Sequence, residues 1–302
     1  MVVSVLAFPP EAAKIRVSVV MVTYMTGPAL FEAITAVLVD PDVCELILVD
    51  NGNDIETRRK LGEFSKANNA IRIIQGHGNI GFSKANNLGA KSTKGDYLLF
   101  LNPDAILREG ALRKLVLCGR RLNGPWIVGA MLRLTNGKEQ CGARRDLLTP
   151  WRAFVSFTPL HKLPFFDSIH RHNDPVPSQP IPSPVVSGAC MLMEHASFDN
   201  IGGFDEDYFL HVEDVDICRR AGQQGGDVYF VPDAEVTHYG STSRVRRQTV
   251  EFEKAKGFVI YFKKFATTPL GRFAAILSAP AIILMIMGRA WWLVFRKAVT
   301  GR

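Results

Sequence analysis

The feature that most constrains the fold is an alternation of short apolar runs and amphipathic stretches early in the chain. Four β-branched runs predict strands, and they occupy 17–24, 45–51, 71–75 and 96–102. The stretches between them predict helices, at 28–39, 54–67 and 82–93. Strands joined by helices in this way form a parallel sheet with right-handed crossovers, so the sequence predicts an α/β fold. Ligands of such sheets bind at the carboxyl ends of the strands.

The second half of the chain is less regular. The stretch 150–184 contains eight of the 17 prolines, so regular structure is expected to lapse there, either in a surface linker or in a mobile loop that meets a second substrate. A strand is expected at 185–193, where Gly188 allows close approach to the backbone. A strand pair is expected around 227–240, and a helix is predicted to begin near Glu213.

Three glycines, Gly76, Gly78 and Gly81, have the G-x-G-x-x-G spacing of a dinucleotide-binding turn. Such a turn normally follows the first strand of its unit and is paired with an acidic residue at the tip of the next strand, about 20 residues on. Here the motif follows the third predicted strand, and Asp104 lies behind Pro103 in a loop. A dinucleotide oxidoreductase is therefore one hypothesis, and the remaining motifs must decide it.

Acidic residues follow two predicted strands and cluster again later in the chain. Asp50 follows the second strand, Asp104 follows the fourth, and Glu213, Asp214 and Asp216 lie at a predicted helix start. A metal-dependent transferase acting on a diphosphate uses such residues, because Mg²⁺ or Mn²⁺ bridges carboxylate and phosphate oxygens while another carboxylate acts as base. Each position also has a structural explanation: a turn after Asp50, a helix entry at Asp104, and acids that favour a helix N-terminus.

Seven motifs, in order between Val17 and Gly240, resemble the family 2 glycosyltransferases, inverting enzymes of GT-A fold, and within them the rhamnosyltransferase-like branch. They read VVMVTY, ILVDNGN, GNIGFSKANNLGA, LLFLNPDA, SGACMLM, GGFDEDYFLHVEDVDICRR and VPDAEVTHYGS. The resemblance implies a Rossmann-like, mixed but mainly parallel central sheet flanked by helices. It also implies a nucleotide-sugar donor that is consumed, in place of a dinucleotide that is recycled.

The resemblance assigns donor-binding roles by position. Thr23, Tyr24 and Asp50 are implied to hold the nucleotide, with Asp50 accepting from N3 of a uracil or thymine ring. Further contacts to the sugar and phosphates of the donor are implied for Asn79, Gly81, Asn87, Asn102, Asp104 and Arg220.

The resemblance also implies a metal site. Asp104 matches the last acid of the family's D-x-D metal motif, and Asn102 stands at its first position as a neutral residue. His238 resembles a late histidine that reaches the metal or the diphosphate, although a packed or surface histidine would leave the same pattern. Mg²⁺ or Mn²⁺ is the expected cofactor.

Asp214 matches the family's catalytic base. In inverting transfer an acceptor hydroxyl attacks the anomeric carbon opposite the leaving nucleoside diphosphate, and the base takes the hydroxyl proton. Glu213 and Asp216 are expected to raise the proton affinity of Asp214 by like-charge repulsion. The helix that begins near Phe82 is expected to direct its first amides at the donor diphosphate.

The leading hypothesis is a transferase that moves L-rhamnose from dTDP-L-rhamnose to a polyprenyl-linked or polysaccharide acceptor. The alternatives are the same fold with a UDP-hexose donor, a degenerate protein that binds nucleotide or glycan without turnover, and the dinucleotide oxidoreductase. We expect a catalytic domain over 1–245, with a nucleotide-binding half at 15–125 and an acceptor half at 126–245. A helical, membrane-associating tail is expected over 246–302.

The tail is basic as well as apolar. The formal net charge is +7, and much of the excess lies late in the chain beside its most apolar segment, which favours an anionic membrane surface over nucleic acid. The stretch 273–287 has no charge, and the apolar run resumes after Arg289 as far as Phe295. We expect an interfacial or partly inserted helix with Trp291 and Trp292 at headgroup level. A full span, a buried core helix and a dimer seam are the alternatives.

The expected location is the cytoplasmic face of the cell membrane. Five scattered cysteines without a C-x-x-C pair suggest neither a zinc cluster nor a disulfide framework, and they favour a reducing setting. The apolar start, MVVSVLAFPP, lacks a basic n-region and reaches two prolines early, which argues against a signal peptide.

Overall fold

The computed structural model describes residues 14–300, apart from 159, 161, 162, 164, 166, 167 and 241, and no side chain is described at 157 or 293–300. The N-terminal stretch that bears on a signal peptide lies outside the described residues. The early alternation is confirmed as β1 (Val17–Thr23), α1 (Ala29–Leu38), β2 (Val43–Asp50), α2 (Ile55–Ala67), β3 (Ile71–Ile74), α3 (Phe82–Ala90) and β4 (Tyr97–Leu101).

The remaining elements complete the sheet and add a helical C-terminal region. In chain order they are β5 (Ala105–Leu107), α4 (Ala111–Gly119), β6 (Ile127–Arg133), β7 (Arg144–Arg145), α5 (Pro150–Phe157), β8 (Ile181–Pro182), β9 (Val185–Val186), β10 (Cys190–Glu194), α6 (His195–Ile201), α7 (Glu213–Gln223), β11 (Val228–His238), α8 (Arg247–Phe265) and α9 (Pro269–Thr300).

Nine strands form the central sheet, in the order β3, β2, β1, β4, β10, β6, β11 and β5, with β8 paired to β11. β1 to β4 run parallel, and β10 runs antiparallel between β4 and β6. The predicted α/β class, a mixed sheet flanked by helices, is confirmed. The chain moves outward from β1 to β3 and returns on the other side of β1 as β4, so a topological switch point lies between β1 and β4.

Local sequence explains these early elements. All seven residues of β1 are buried, as expected of a central strand covered on both faces. Asp54 caps α2 by accepting from the backbone N–H of Thr57 at 2.7 Å. Gly89 lets α3 approach the sheet closely, since a Cβ there would lie 2.5 Å from Cγ1 of Val20. The carboxyl ends of β1, β2 and β4 are thereby fixed as one edge.

Three expectations for the second half need correction. Regular structure lapses between 168 and 180, apart from an isolated bridge at His170, but it does not lapse at 150–157, because Thr149 caps α5 and Pro150 occupies its first turn, where no backbone N–H is needed. The strand expected at 185–193 is two strands, β9 and β10, separated by residues 187–189. The expected strand pair is the single strand β11, whose pairing with β6 shifts register around Pro232 because proline has no N–H to donate.

The two C-terminal helices pack differently. α8 contributes to the main hydrophobic core through four buried side chains, Ala255, Phe258, Tyr261 and Phe262. α9 packs along α8 but is largely exposed. Its stretch Pro269–Trp292 is long and apolar enough to cross a membrane. Of the 18-residue apolar segment within it, 11% is buried. The alternative of a helix buried in the core of this chain is therefore wrong.

Candidate active site

The polar segments singled out in the sequence meet at the carboxyl edge of β1, β2 and β4. β10 runs antiparallel to β4, so its first residue, Cys190, lies opposite Leu101 at this same edge. The backbone N–H of Asn102 donates to the carbonyl of Ala189 at 2.9 Å. The segment 187–189 therefore joins the β4 end to the helix that carries the acidic cluster.

Asp50 closes a turn and keeps one oxygen free. Its Oδ1 accepts from the backbone N–H groups of Gly52 and Asn53, at 2.9 and 2.8 Å, and from Nδ2 of Asn53 at 2.8 Å. Nδ2 of Asn53 also donates to Oγ1 of Thr23 at 2.7 Å. Oδ2 of Asp50 has no hydrogen bond to the described residues. The turn and the binding role are thus compatible, and Asn53, which sequence reasoning missed, holds both Thr23 and Asp50.

The glycine-rich loop is held by protein contacts. Gly76, Gly78 and Gly81 all have positive φ, which explains why glycine is needed there. Oδ1 of Asn79 accepts from the N–H of Gly81 at 3.1 Å, and the N–H of Phe82 donates to the carbonyl of residue 209 at 2.7 Å. The expectation that the first amides of α3 face a diphosphate is therefore wrong for Phe82, whose donor is already used.

Three buried polar atoms without a partner lie near the strand ends to which the resemblance assigned the nucleotide. Oγ1 of Thr26, Oδ1 of Asn51 and Oγ of Ser83 are buried and have no hydrogen-bond partner among the described residues. They lie after β1, after β2 and in the first turn of α3, and Tyr24, which follows β1, is half-buried. Buried polar groups are normally paired, so these atoms are candidates for ligand contacts. Sequence reasoning missed all three, although each lies within a few residues of a strand end or helix start.

Asp104 and His238, to which the resemblance assigned the metal site, lie in direct contact. Nε2 of His238 lies 3.0 Å from Oδ1 of Asp104, and Oγ1 of Thr242 donates to Oδ2 at 3.0 Å. Burial acts to raise the pKa of Asp104, but the hydrogen bond and charge of His238, with the hydrogen bond from Thr242, hold it below its usual value. The pair therefore presents a carboxylate and an imidazole to the same point.

These residues fit a divalent metal. Oε1 of Gln140 lies 2.5 Å from Nδ1 of His238 and holds the ring so that Nε2 faces Asp104. Nε2 and Oδ1 of Asp104, 3.0 Å apart, can share a proton or hold a cation in its place, and the amide of Asn102 approaches Nε2 at 3.4 Å. Among the described residues no group of three or more His, Cys, Asp or Glu side chains could hold a metal. The protein would thus supply part of the coordination, and substrate phosphate and water the rest.

Asp214 lies in the first turn of α7 and is held on both sides. Its Oδ2 pairs with the guanidinium of Arg145 and accepts from the backbone N–H of Gly188 at 3.1 Å. Its Oδ1 accepts only from the N–H of Val215, at 2.8 Å, within the described residues. A Cβ at Gly188 would lie 3.2 Å from the Cβ of Asp214, so the expected close approach at Gly188 is made by this carboxylate. Sequence reasoning missed Arg145, which is 69 residues away.

Like-charge repulsion in this cluster raises the pKa of Glu213, whereas the sequence led us to expect its effect on Asp214. Burial, followed by the charge of Asp214, raises the pKa of Glu213 to about 8, so this side chain is largely protonated at neutral pH. Asp216 is fully buried and pairs with Arg220 at 2.6 Å and with Lys264 at 2.7 Å. Its charge is therefore matched by two cations.

Two residues that the resemblance assigned to donor binding already make hydrogen bonds within the protein. Nδ2 of Asn87 donates to the carbonyl of Phe204 at 2.8 Å, and its Oδ1 accepts from the N–H of Phe204 at 2.9 Å. Arg220, besides its pair with Asp216, donates to the carbonyls of Ile201 and Gly203. Both side chains fasten the loop before α7, and their contact with a donor stays a prediction.

The turn before α7 is strained and is supported by α8. His211 and Val212 have φ of 68° and 73°, a conformation that costs most for a β-branched residue. A Cβ at Gly257 would lie 2.9 Å from Cγ2 of Val212 and 3.0 Å from the carbonyl of His211. Glycine at 257 thus lets α8 press on the turn that presents Glu213 and Asp214.

Comparison with known proteins agrees with this architecture. Residues 18–118 match the family model described as glycosyl transferase family 2. The chain is 28% identical over 241 residues to N-acetylglucosaminyl-diphospho-decaprenol L-rhamnosyltransferase of Mycobacterium tuberculosis, covering 76% of this chain and 77% of that protein. It is 23% identical over 217 residues to rhamnosyltransferase WbbL of Escherichia coli K12, covering 66% and 74% of the two chains.

Solved structures share the fold. The structure of GalNAc-T7 with UDP, GalNAc and Mn²⁺ has a TM-score of 0.61 at 17% identity, covering 84% of this chain and 51% of that one. The mannosyltransferase PcManGT from Pyrobaculum calidifontis, with GDP-Man and Mn²⁺, has a TM-score of 0.57 at 15% identity, covering 97% and 78%. These matches indicate a nucleotide-sugar glycosyltransferase of GT-A fold that is similar to the family 2 glycosyltransferases and, within them, to the rhamnosyltransferase branch.

Proposed function

We propose that this enzyme transfers L-rhamnose from dTDP-L-rhamnose, with inversion, to a hydroxyl of a lipid-linked or cell-surface polysaccharide acceptor. The observation that carries the proposal is the position of Asp214 and the Asp104–His238 pair on either side of the segment 187–189. A base and an anion-stabilising group separated by a short backbone segment suit a sugar held between an attacking hydroxyl and a leaving diphosphate.

In the proposed reaction Oδ1 of Asp214 takes the proton of the acceptor hydroxyl as its oxygen bonds to the anomeric carbon. The bond from that carbon to the diphosphate oxygen breaks on the opposite face. Arg145 and the N–H of Gly188 hold the other oxygen of the base, which fixes its orientation. Asp104, His238 and Asn102 would hold Mg²⁺ or Mn²⁺, which when bound supplies positive charge beside the leaving diphosphate.

The nucleotide is assigned to the carboxyl ends of β1 and β2. Oδ2 of Asp50 is open to accept from N3 of thymine or uracil, and Tyr24 lies beside it against Gly52. Asn79 and Gly81 shape the loop before α3, and Asn87, Asp216 and Arg220 position the loop and helix that carry the base. Rhamnose is favoured because two relatives are named as rhamnosyltransferases. A UDP-hexose donor is the alternative, and the relation to the structure with UDP supports it.

The proposed location is the cytoplasmic face of the membrane, with α9 in contact with lipid. The relative from M. tuberculosis is named for a decaprenol-linked acceptor, and α9 carries an apolar surface suited to the same bilayer. A lipid-linked acceptor would then reach the site from the membrane.

The donor is tested by thermal shift and turnover. The full chain, in detergent with Mn²⁺, is mixed with dTDP-L-rhamnose, other dTDP-sugars and UDP-hexoses, and release of nucleoside diphosphate is followed. We expect the largest stabilisation and the fastest release with dTDP-L-rhamnose. Preferential stabilisation by a UDP-hexose would overturn the rhamnose assignment, and no release from any donor would support the binding protein without turnover.

The metal assignment is tested with Asp104→Ala. Removing the only carboxylate of the pair should weaken Mn²⁺-dependent binding of dTDP by about tenfold or more, since charged contacts are worth roughly 1.5–3 kcal/mol. Calorimetry with Mn²⁺ and with EDTA measures the change, and Asp199→Ala, an exposed acid on α6, is the matched control. Equal metal dependence in both variants would remove Asp104 from the metal site.

A further inference from the structure

The chain that leaves β11 passes over the carboxyl edge of the sheet. We call residues 242–246 the crossing segment. At its start, Oγ1 of Thr242 donates to Oδ2 of Asp104 at 3.0 Å, just after β4. Two residues on, the backbone N–H of Arg244 donates to the carbonyl of Met25 at 3.1 Å, just after β1. The segment therefore joins the carboxylate assigned to the metal with the strand end assigned to the nucleotide.

Arg244 is the cation of this segment whose backbone is fastened to the edge. Its side chain is exposed and makes no hydrogen bond with the described residues. Hydrogen bonding to Thr57, and then the charge of Arg244, hold the pKa of Asp54 below its usual value. The guanidinium thus lies within electrostatic range of Asp54, which caps α2 shortly after β2. A chain spans at most about 3.6 Å per residue, so the Cα of Arg244 is also within about 7 Å of that of Thr242.

A buried hydroxyl lies in the loop that the crossing segment contacts. Thr26 stands between Met25, which accepts from Arg244, and Gly27, where a Cβ would lie 3.8 Å from the carbonyl oxygen of Thr242. Thr26 is 6% exposed, and its Oγ1 has no hydrogen-bond partner among the described residues. Met25 has φ of 49°, a strained conformation of the kind found at ligand clamps. Because buried polar groups are normally paired, this hydroxyl indicates a ligand group at the contact between segment and loop.

Charge indicates which part of the donor lies there. The sequence between Glu235 and Glu251 contains three arginines and no acidic residue. The base and the sugar of the proposed donor are neutral, so the diphosphate is the part that a guanidinium recognises. Arginine donates two parallel hydrogen bonds to phosphate oxygens, a geometry that lysine cannot reproduce. Asp104 is the single carboxylate assigned to the metal, since Asn102 is neutral, and a second source of positive charge would assist the departing diphosphate.

We propose that Arg244 binds the diphosphate of the donor and stabilises the charge that the leaving nucleoside diphosphate gains. This inference rests on the proposed glycosyl transfer and adds a catalytic residue to it. As the acceptor oxygen bonds to the anomeric carbon and gives its proton to Asp214, the bond to the diphosphate oxygen breaks and its electron pair stays on that oxygen. Arg244 remains protonated throughout and donates hydrogen bonds to the phosphate oxygens. The hydroxyl of Thr26 donates to the same group.

The test uses the full chain in neutral detergent with Mn²⁺, and dTDP, dTMP, UDP and UMP as probes. Calorimetry compares the parent protein with Arg244→Gln and Arg244→Lys. Both substitutions keep the backbone N–H that donates to Met25, so the segment stays in place. We expect Arg244→Gln to weaken binding of the nucleoside diphosphate at least about tenfold, and binding of the monophosphate much less. Arg244→Lys should recover part of the loss, because it keeps the charge without the planar fork.

Two further variants separate binding from a structural effect. Arg246→Gln is the matched control, because Arg246 is an exposed arginine on the same segment and its side chain makes no capping hydrogen bond. Thr26→Val removes a buried hydroxyl without a partner, so it should keep the melting temperature of the parent and still weaken diphosphate binding. Unchanged diphosphate affinity in this variant would overturn the contact assigned to Thr26.

The results that overturn the role of Arg244 are equally specific. Equal diphosphate affinity in Arg244→Gln and the parent, or an equal loss for monophosphate and diphosphate, contradicts it. If Arg244→Gln keeps its diphosphate affinity but loses binding to phosphatidylglycerol vesicles, the arginine contacts the anionic membrane surface, and the inference is overturned.

Release of nucleoside diphosphate from the donor is measured in the same samples, and Arg244→Gln should slow it even at saturating donor. Binding and release in the parent without any effect of Arg244→Gln contradict this inference alone. A parent protein that binds neither dTDP nor UDP, and releases no diphosphate from any donor, contradicts the proposed transfer itself.

Discussion

Asp214 is the side chain on which the proposed chemistry depends most directly. Arg145 and Gly188 occupy one of its oxygens, and among the described residues the other accepts a single hydrogen bond, from the backbone N–H of Val215. An asparagine at this position keeps the size and one acceptor oxygen but cannot take up a proton at neutral pH. The turn at Asp50, to which we assign the nucleotide, is closed by hydrogen bonds that do not involve Asp214.

Asp214→Asn should therefore lower turnover by about 10²- to 10⁴-fold, the range typical of a lost general base, and leave dTDP binding within about twofold. Steady-state assays and calorimetry measure the two quantities. Asp199→Asn serves as the matched acid on the exposed surface of α6. Near-normal turnover of Asp214→Asn would remove this residue from the mechanism.

Glu213 should make stability depend on pH. Burial and the neighbouring charge of Asp214 raise its pKa from 4.5 to about 8 in the folded protein. The folded state then holds a proton that the unfolded state has lost, so this contribution is complete below about 4.5 and disappears as pH rises through about 8. We expect the free energy of unfolding to fall between these values.

Urea denaturation at about pH 5, 6.5 and 8 measures this slope, and Glu213→Gln, which cannot ionise, should flatten it. Glu206→Gln is a control from the exposed loop before α7. If Glu213→Gln kept the pH dependence of the parent protein, the slope would belong to other groups.

Among the elements, α8 has the broadest influence on the site. It supports the strained turn through Gly257, and its Lys264 pairs with both Asp205 and Asp216. Tyr261 accepts from Arg219 at 3.0 Å on the next face of α7. A helix that the sequence groups with the tail thus packs on the helix that carries the base. Whether 246 is a domain boundary stays a prediction.

Gly257→Ala should push α8 away from Val212. Overpacking of this kind costs about 1–3 kcal/mol, and a shift of the base should lower turnover by roughly ten- to a hundredfold. Gly62→Ala is the matched control, because Gly62 is also helical and a Cβ there meets nothing within 4 Å. That variant should gain about 0.5–1 kcal/mol and keep its turnover. Equal turnover in the two variants would contradict the positioning role of α8.

At the scale of the whole molecule, α9 stands out because large apolar side chains on it are exposed. Leu277 and Leu284 are 63% and 73% exposed, and Trp291 and Trp292 are both more than half exposed. The stretch Pro269–Trp292 is about 36 Å long as a helix, enough for the roughly 30 Å hydrocarbon core. Its basic neighbours on α8 suit an anionic leaflet.

Removing residues 269–302 should shift the protein from the membrane fraction to the soluble fraction after cell lysis. A full-length variant with Leu277→Gln and Leu284→Gln tests the exposed face without removing the packing of α9 on α8. Both variants should keep cooperative unfolding, because α9 contributes few side chains to the main core, most of which lies in the sheet and its covering helices. A truncated protein that still sediments with membranes would contradict the anchoring role.

The sequence by itself determined the four parallel strands, the three helices between them and the edge at which the acids gather. Periodicity is a local property, and parallel strands bring their carboxyl ends together without further information. The same reasoning placed Asp50 and Asp104 at one edge, whereas the position of the cluster at Glu213 beside that edge came from the structure. The helix at 150–157 was missed although its cap at Thr149 is local, and the break at 187–189 was missed because its partners, Asn102 and Asp214, are distant in sequence.

Only the tertiary structure decided the state of the site. The partners of the base, of Asp216 and of His238 are Arg145, Lys264 and Gln140, which are 69, 48 and 98 residues away. Packing, and not spacing, brings such residues together and sets which carboxyl groups are buried, paired or protonated. For that reason the two acids beside Asp214, read from sequence as repelling charges, proved to be one protonated side chain and one matched by two cations.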